Sequence, residues 1–220
     1  MNSRIILPLD HVPWDGACEI MHKTKGLVWG YKIRRSVLER GLEVVREIKR
    51  FGRVMLDFKL YDIPSAMTES LRMHLDAGAD VTTVHCTSGY DPSSGGLGGH
   101  HIAGVTILTS MDQDNFSRYY QGVNIPDIVA RMARDAQSRY EYLVCSANDL
   151  NRVRDLDIKK ICPGIRPGWY LQKDDQTRTA TPAAAVKNGA DLLVIGRPIL
   201  QADDIVRAIQ KTNAEIEQEI

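Results

Sequence analysis

The chain has 220 residues, 43% of them hydrophobic, which suffices for one sizeable core and predicts a single domain over residues 1–220. Lysine and arginine together number 28, as do aspartate and glutamate, so the formal net charge is zero. A balanced charge provides no long-range field to attract nucleic acid or an acidic membrane, and we expect neither as a partner.

The N-terminal segment and the cysteines narrow the class of protein further. The segment MNSRIILPLD reaches an acid at position 10, and no apolar run approaches the length of a membrane span or a cleavable signal core. The four cysteines are far apart in the sequence and form no Cys-x-x-Cys pair, so neither a zinc knuckle nor a disulfide framework is indicated. We therefore expect a cytoplasmic protein with buried, apolar cysteines.

Eight short apolar runs recur along the chain, with helical or loop-like spacers between them. The runs are rich in β-branched residues and nearly continuous rather than alternating, which is typical of parallel strands covered on both faces. In chain order they are RIILPLD, GLVWGYK, RVMLDFK, DVTTVH, AGVTILTS, YEYLVCS, IKKICPG and DLLVIG.

The spacers complete a repeating strand–helix pattern. Residues 36–52 have apolar positions at helical spacing and predict one amphipathic helix, as do residues 124–139. Residues 86–104 are too rich in glycine and serine for a stable helix, and we expect a loop there. Alternating strands and helices imply right-handed βαβ units, and eight of them predict a compact α/β fold, the TIM (β/α)8 barrel. The alternative, a doubly wound open sheet, lacks a Gly-x-Gly-x-x-Gly signature after the first strand.

Charged residues stand where several predicted strands end. Asp10 closes the first run, Lys32 the second, Asp57 and Lys59 the third, and His85 the fourth. The chemistry of a TIM barrel lies at the carboxyl ends of its strands, so these side chains are expected to meet at the barrel mouth. Because strand side chains alternate between faces, Asp57 and Lys59 should point the same way. A purely structural ion pair at a strand end is the alternative explanation.

Asp62 follows the third run in a turn. Pro64 cannot continue the strand ladder and is suited to the first position of a helix. Asp62 is therefore expected to be displayed where a loop becomes a helix.

The loops after the seventh and eighth strands predict a phosphate site, which is the usual position in this fold. Gly196 lets the backbone approach an anion closely, and Arg197 offers a planar fork that matches phosphate oxygens. The polar segment 164–181 holds Arg166 and Gln176 and predicts a lid over a phosphorylated substrate, with an ordinary solvated loop as the alternative. These residues alone do not name the substrate.

Five motifs in order resemble the orotidine 5'-phosphate decarboxylase family of bacterial type. They are DFKLYDIP, ILTSMD, LVCSA, CPGIRP followed by DDQTRTATP, and LLVIGRPI, and the matches run from Asp10 to Ile199. The resemblance implies a TIM barrel that converts orotidine 5'-monophosphate to UMP and CO2 in pyrimidine biosynthesis, with no metal ion or organic cofactor. Without a cofactor as electron sink, the protein must supply a fixed positive charge and a proton at the carbon that loses CO2.

The resemblance also implies roles for individual residues. Lys59 corresponds to the proton donor, Asp57 to the aspartate beside the leaving carboxylate, and Lys32 to a second lysine of the charge network. Asp62 corresponds to an aspartate that the family contributes across a dimer interface, so a homodimer is expected. The implied substrate contacts are Asp10 for a ribose hydroxyl, Ser110 for the pyrimidine edge, Gln176, Arg197 and Gly196 for the phosphate, and Pro163 and Arg166 as further binding residues.

Two alternatives accompany this interpretation. A magnesium-dependent sugar-phosphate decarboxylase or aldolase of the same barrel group would need a second carboxylate near Asp57, where this chain has Lys32, and a hard divalent ion needs oxygen ligands. A non-catalytic nucleotide-binding barrel is motivated by Ala66, which stands where the family usually has a ribose-binding threonine. Buried charges without a function are costly to keep, which disfavours that second alternative.

Overall fold

The computed structural model of the protein describes residues 3–170 and 179–218, and within these ranges eight parallel strands close into a barrel in sequence order. The first and last strands close it, with Ile5 opposite Leu193. The predicted TIM barrel is thus confirmed and the open sheet is excluded. The strands are β1 (Ile5–Pro8), β2 (Gly30–Ile33), β3 (Arg53–Leu60), β4 (Val81–His85), β5 (Ile102–Val105), β6 (Tyr142–Val144), β7 (Lys159–Cys162) and β8 (Leu192–Val194).

Helices follow the strands and pack against the outside of the barrel. None of those in the described ranges is long and apolar enough to cross a membrane. The helices are α1 (Trp14–Thr24), α2 (Arg35–Arg40), α3 (Glu43–Ile48), α4 (Pro64–Asp76), α5 (Gln113–Ser117), α6 (Ile125–Ala136), α7 (Leu150–Val153), α8 (Pro182–Lys187), α9 (Arg197–Leu200) and α10 (Ile205–Glu217).

Strand side chains alternate between two apolar layers. Ile6 of β1 belongs to the barrel interior, whereas Ile5 and Leu7 pack outward against the helices, and all three are fully buried. This alternation lets each strand bury both faces, as its continuous apolar sequence predicts. The interior is filled by Ile6, Met55, Val81, Ala103, Val105, Val144, Ile161, Leu192 and Val194.

The single helix predicted over residues 36–52 is wrong. The segment forms two short helices, α2 and α3, separated at Gly41, whose φ is +78°. Glycine adopts a positive φ without a steric penalty, and the chain leaves the helix at this residue. The helix predicted over residues 124–139 is confirmed as α6, with Asn124 as its N-cap accepting a hydrogen bond from the Asp127 N–H.

Residues 86–104 form no α-helix, as predicted. They contain two single turns of 3-10 helix, Cys86–Ser88 and Pro92–Gly95, before β5 begins. Buried Tyr90 ties this connector to its surroundings, because its hydroxyl lies 2.8 Å from that of Thr68 on α4 and its carbonyl accepts a 2.6 Å hydrogen bond from the Tyr140 hydroxyl. The connector is therefore packed against α4 and against the segment that leads into β6.

Candidate active site

Asp57 and Lys59 lie together at the carboxyl end of β3. The Nζ of Lys59 is 2.7 Å from Oδ2 of Asp57. The Asp57 side chain is 9% exposed, while that of Lys59 is 30% exposed and faces the barrel mouth. The two side chains meet, as predicted, and the pair combines a buried carboxylate with a partly accessible ammonium group.

Lys32 and Asp10 extend this pair into a network from three neighbouring strands. The Nζ of Lys32, on β2, lies 2.9 Å from the same Oδ2 of Asp57. It also donates a hydrogen bond to Oδ2 of Asp10, which follows β1. Charges alternate along this network, from Asp10 through Lys32 and Asp57 to Lys59. Each group therefore has a partner of opposite sign.

Burial and pairing act in opposite directions on the pKa values of this network. Burial alone would raise the pKa of Asp57, but the ammonium groups of Lys32 and Lys59 outweigh it and hold that pKa at about 2. Burial alone would lower the pKa of Lys32, but the carboxylates of Asp57 and Asp10 outweigh it and raise that pKa above its usual range. Asp57 and Lys32 are therefore both ionised at neutral pH.

Two adjoining cavities open beside the network. A cavity of about 300 Å³ borders Asp57 and Lys59 and has an apolar wall that includes Met55, Val105 and Val144. A cavity of about 590 Å³ borders Asp10 and reaches the loops after β7 and β8. The residues that line both are Lys32, Thr109, Pro163 and Val194. The cavities therefore meet at the network, and one ligand could occupy both.

The larger cavity collects several of the residues predicted to bind the substrate. Pro163, Arg166, Gly196 and Arg197 all line it, as do His11 and Gln201, which sequence reasoning missed. Gly196 has a second reason to be glycine, since a Cβ there would lie only 3.0 Å from Cγ of Pro8. Gln176 lies outside the described residues.

Ser110 and Thr109 lie at the edge of the smaller cavity. The apolar run AGVTILTS reaches Ser110, but β5 ends at Val105, so both residues belong to the loop that follows. Sequence reasoning selected Ser110 and missed Thr109, although the two are adjacent in the same motif and Thr109 lines both cavities.

Asp62 does not join the charge network of its own chain within the described residues. It is exposed at the start of α4, and its Oδ1 accepts a 2.7 Å hydrogen bond from the Ile63 N–H. Its neighbours Tyr61 and Ile63 are large apolar residues that are 64% and 65% exposed. Asp62 is thus displayed on the surface in an apolar setting, at the loop-to-helix junction that the sequence predicts.

In the part of the chain that the structure describes, no three His, Cys, Asp or Glu side chains are placed to hold a metal ion. The charge network itself contains two carboxylates, Asp10 and Asp57, but the Lys32 ammonium group lies between them.

The chain forms a closed (β/α)8 barrel, and side chains of alternating charge are buried at its strand ends beside two open cavities. This is the arrangement of a TIM-barrel enzyme. Residues 3–212 match the model of the orotidine 5'-phosphate decarboxylase / HUMPS family. The chain belongs to that family.

Individual relatives agree over nearly the full chain. The chain is 34% identical to an orotidine 5'-phosphate decarboxylase of Caulobacter sp. (strain K31), covering 98% of this chain and 97% of that protein. It is 31% identical to that of Desulfosudis oleivorans, covering 97% and 93%. The crystal structure of the Lactobacillus acidophilus orotidine 5'-phosphate decarboxylase superposes with a TM-score of 0.80 at 24% identity, covering 98% of this chain and 99% of that one, and it supports the fold.

Proposed function

We propose that this protein decarboxylates orotidine 5'-monophosphate to UMP and CO2, with Lys59 as the proton donor. The main observation behind the proposal is the charge network, which runs from Asp10 through Lys32 and Asp57 to Lys59. This network borders a cavity with an apolar wall. Family membership over residues 3–212 supports the same activity.

The reaction requires one bond to break and one to form at C6 of the pyrimidine. The bond from C6 to the carboxylate breaks, its electron pair stays on C6, and CO2 leaves as a neutral molecule. A proton then passes from Nζ of Lys59 to C6, and a proton from solvent later restores the ammonium group. Lys59 suits this step because its ammonium group is fixed by Asp57 at 2.7 Å yet remains partly accessible at the mouth of the barrel.

Asp57 and Lys32 set the electrostatics around Lys59. With its pKa held at about 2, the Asp57 carboxylate stays charged and keeps Lys59 oriented throughout the neutral range. Lys32 shares Oδ2 of Asp57 with Lys59 and so limits the rotation of that carboxylate. Such groups are in position before the substrate binds, so little reorganisation is needed when charge develops at C6.

The cavities suggest how the substrate lies. The pyrimidine ring would occupy the smaller cavity, with Ser110 and Pro163 at its edge and C6 toward Lys59. Asp10 is suited to bind a ribose hydroxyl, because its Oδ1 is buried and has no hydrogen-bond partner among the described residues, while Oδ2 pairs with Lys32. The phosphate would then reach Arg197 in the larger cavity.

Gly196 and Arg166 line the same cavity as Arg197 and are assigned to the phosphate end of the substrate. Gln176 is assigned there from the resemblance alone, since it lies outside the described residues.

The protein is proposed to act as a homodimer in which each Asp62 completes the active site of the partner subunit. Asp62 is exposed and forms no ion pair within the described part of its own chain. The exposed Tyr61 and Ile63 flank it in the chain and present apolar side chains, which a second copy of the chain would cover. The expected cytoplasmic location and the single domain over residues 1–220 stay predictions.

A magnesium-dependent sugar-phosphate reaction is disfavoured by the position of Lys32. Its ammonium nitrogen lies 2.9 Å from Asp57 and also pairs with Asp10, so it occupies the space between the two carboxylates. A divalent cation there would have to displace a positive charge.

The test of this proposal compares two substrates on the purified protein. Orotidine 5'-monophosphate is supplied with excess EDTA, and 3-keto-gulonate 6-phosphate, a sugar acid phosphate whose carboxylate could leave as CO2, is supplied with magnesium. We expect stoichiometric UMP and CO2 from the first and no CO2 from the second. The reverse pattern would assign the protein to the sugar-phosphate branch of the family.

A further inference from the structure

The β3–β4 pairing is irregular at the active site. Leu56 pairs with Thr82 and Leu60 pairs with Val84, so three residues of β3 stand opposite Thr83 alone. Those three residues include both Asp57 and Lys59. A bulge of this kind interrupts the regular ladder and redirects the side chains that it carries.

Lys59 has an uncommon backbone conformation within this bulge. Its φ is +52°, in the left-handed region that residues other than glycine seldom adopt. Such a conformation persists only where surrounding groups hold it in place. The backbone N–H of Lys59 donates a 2.8 Å hydrogen bond to Oγ1 of Thr83, which replaces the missing ladder contact.

The same Thr83 hydroxyl contacts Asp57. Oγ1 lies 3.1 Å from Oδ1 of Asp57, and farther, at 3.5 Å, from the carbonyl oxygen of Leu56. Oδ1 is the oxygen that the two lysines leave free, because both ammonium groups bind Oδ2. Thr83 is fully buried, so no water competes for these contacts.

We propose that Thr83 is a positioning residue for decarboxylation. Its one hydroxyl accepts a hydrogen bond from the backbone of Lys59 and donates one to the carboxylate of Asp57, and so fixes the two groups relative to each other. Valine at this position would fill the same volume but would supply neither contact. The assignment rests on the proposed decarboxylase function, since only turnover reports on the placement of Lys59.

The neighbouring Thr82 provides a matched control. It is also fully buried on β4, but its side chain points to the opposite face and its hydroxyl lies 2.8 Å from Nδ1 of His74 on α4. Thr82→Val therefore removes a buried threonine hydroxyl from the same strand without touching Asp57 or Lys59.

The experiment compares Thr83→Val, Thr83→Ser and Thr82→Val by steady-state kinetics with orotidine 5'-monophosphate and by urea unfolding. We expect Thr83→Val to lower kcat by about 10- to 100-fold, because small misplacements of reacting groups have effects of that order. KM should change by less than about threefold, because Thr83 is not proposed to bind the substrate. Thr83→Ser keeps the hydroxyl and should retain kcat within about threefold of wild type. Thr82→Val should keep kcat close to wild type even where it lowers stability as much as Thr83→Val.

Two results would overturn the assignment: a kcat of Thr83→Val equal to that of Thr82→Val, or a loss in Thr83→Ser as large as in Thr83→Val. If Thr83→Val does not fold, Thr83→Ala takes its place with the same expected and contradicting results. Wild-type protein that does not turn over orotidine 5'-monophosphate would defeat the proposed function and this assignment with it. If wild type and Thr83→Val are both fully active, the positioning role of Thr83 is wrong and the proposed decarboxylase function is unaffected.

Discussion

The ammonium nitrogen of Lys59 lies 2.7 Å from Oδ2 of Asp57, and that carboxylate is the centre of the charge network. Lys32 approaches the same oxygen at 2.9 Å, while Oδ1 faces the Thr83 hydroxyl. The two oxygens of Asp57 therefore have different roles, since Oδ2 holds the two cations and Oδ1 ties the carboxylate to β4. Both lysines contact this one side chain, and Lys59 is positioned by it.

Replacing Asp57 by asparagine should impair both catalysis and stability. The change leaves Lys32 and Lys59 close together without the carboxylate that separates them, and removing one partner of a buried ion pair costs about 3 kcal/mol or more. We expect kcat to fall by at least about 100-fold, in line with the loss of one preorganised electrostatic group. Steady-state kinetics and urea unfolding measure both effects. The exposed Asp155→Asn is the control, and an Asp57→Asn protein as active as this control would contradict the role of Asp57.

Arg197→Ala should weaken binding through the phosphate alone. A charge-assisted contact to phosphate contributes about 3 kcal/mol, so KM for orotidine 5'-monophosphate is expected to rise by about 100-fold. The exposed Arg207→Ala should leave KM unchanged. The nucleoside orotidine, which lacks the phosphate, should be turned over equally slowly by wild type and Arg197→Ala. A further loss on orotidine would show that Arg197 acts elsewhere than on the phosphate.

Complementation between subunits tests the position of Asp62. Lys59→Ala and Asp62→Ala should each be inactive as homodimers. A mixed dimer of the two variants has one site with both changes and one intact site, in which Lys59 comes from one subunit and Asp62 from the other. Co-expression with two affinity tags and random pairing should restore about a quarter of wild-type activity per subunit. A mixture that stays inactive, although mixed dimers are isolated, would place Asp62 in the active site of its own chain.

His74 should make stability sensitive to mild acid. Burial lowers the pKa of His74 to about 4, below its ordinary 6.5, so the folded protein keeps this imidazole neutral. The unfolded chain takes up a proton below about pH 6.5, and the free energy of unfolding should therefore decline as pH falls from 6.5 to 4. Between pH 7 and 5 this amounts to about 2 kcal/mol.

Urea unfolding at pH 7 and pH 5 measures that decline. His74→Gln, which can still hydrogen-bond to Thr82, should lose about 2 kcal/mol less than wild type over this interval. His100→Gln is the control, because the His100 side chain is 87% exposed, and it should follow wild type. Equal pH dependence in His74→Gln and wild type would show that His74 is not the group responsible.

The barrel and the core of the site could be predicted from the sequence because both depend on local patterns. Continuous apolar runs give buried parallel strands, and a charge at the end of such a run must lie at the mouth of the barrel, as Lys32 and Asp57 do. The division between α2 and α3 was missed because helical periodicity continues through Gly41, and only its backbone conformation ends the helix.

Thr83 was missed for a different reason. Its role depends on an irregular pairing of β3 with β4, which places it opposite both Asp57 and Lys59. No local pattern in either strand reports such a register shift. A threonine inside the run DVTTVH indicates only a β-branched strand residue.

The most direct test of the central claim follows the absorbance change of orotidine 5'-monophosphate in excess EDTA. It compares wild type, Lys59→Ala and the control Lys23→Ala. Lys23 is a suitable control because it is exposed on α1. We predict that wild type and Lys23→Ala turn over equally well with the chelator present, whereas Lys59→Ala shows no measurable turnover while still binding UMP. Turnover by Lys59→Ala, or a requirement of the wild type for a divalent ion, would contradict the account of Lys59 as the proton donor in a network that needs no metal.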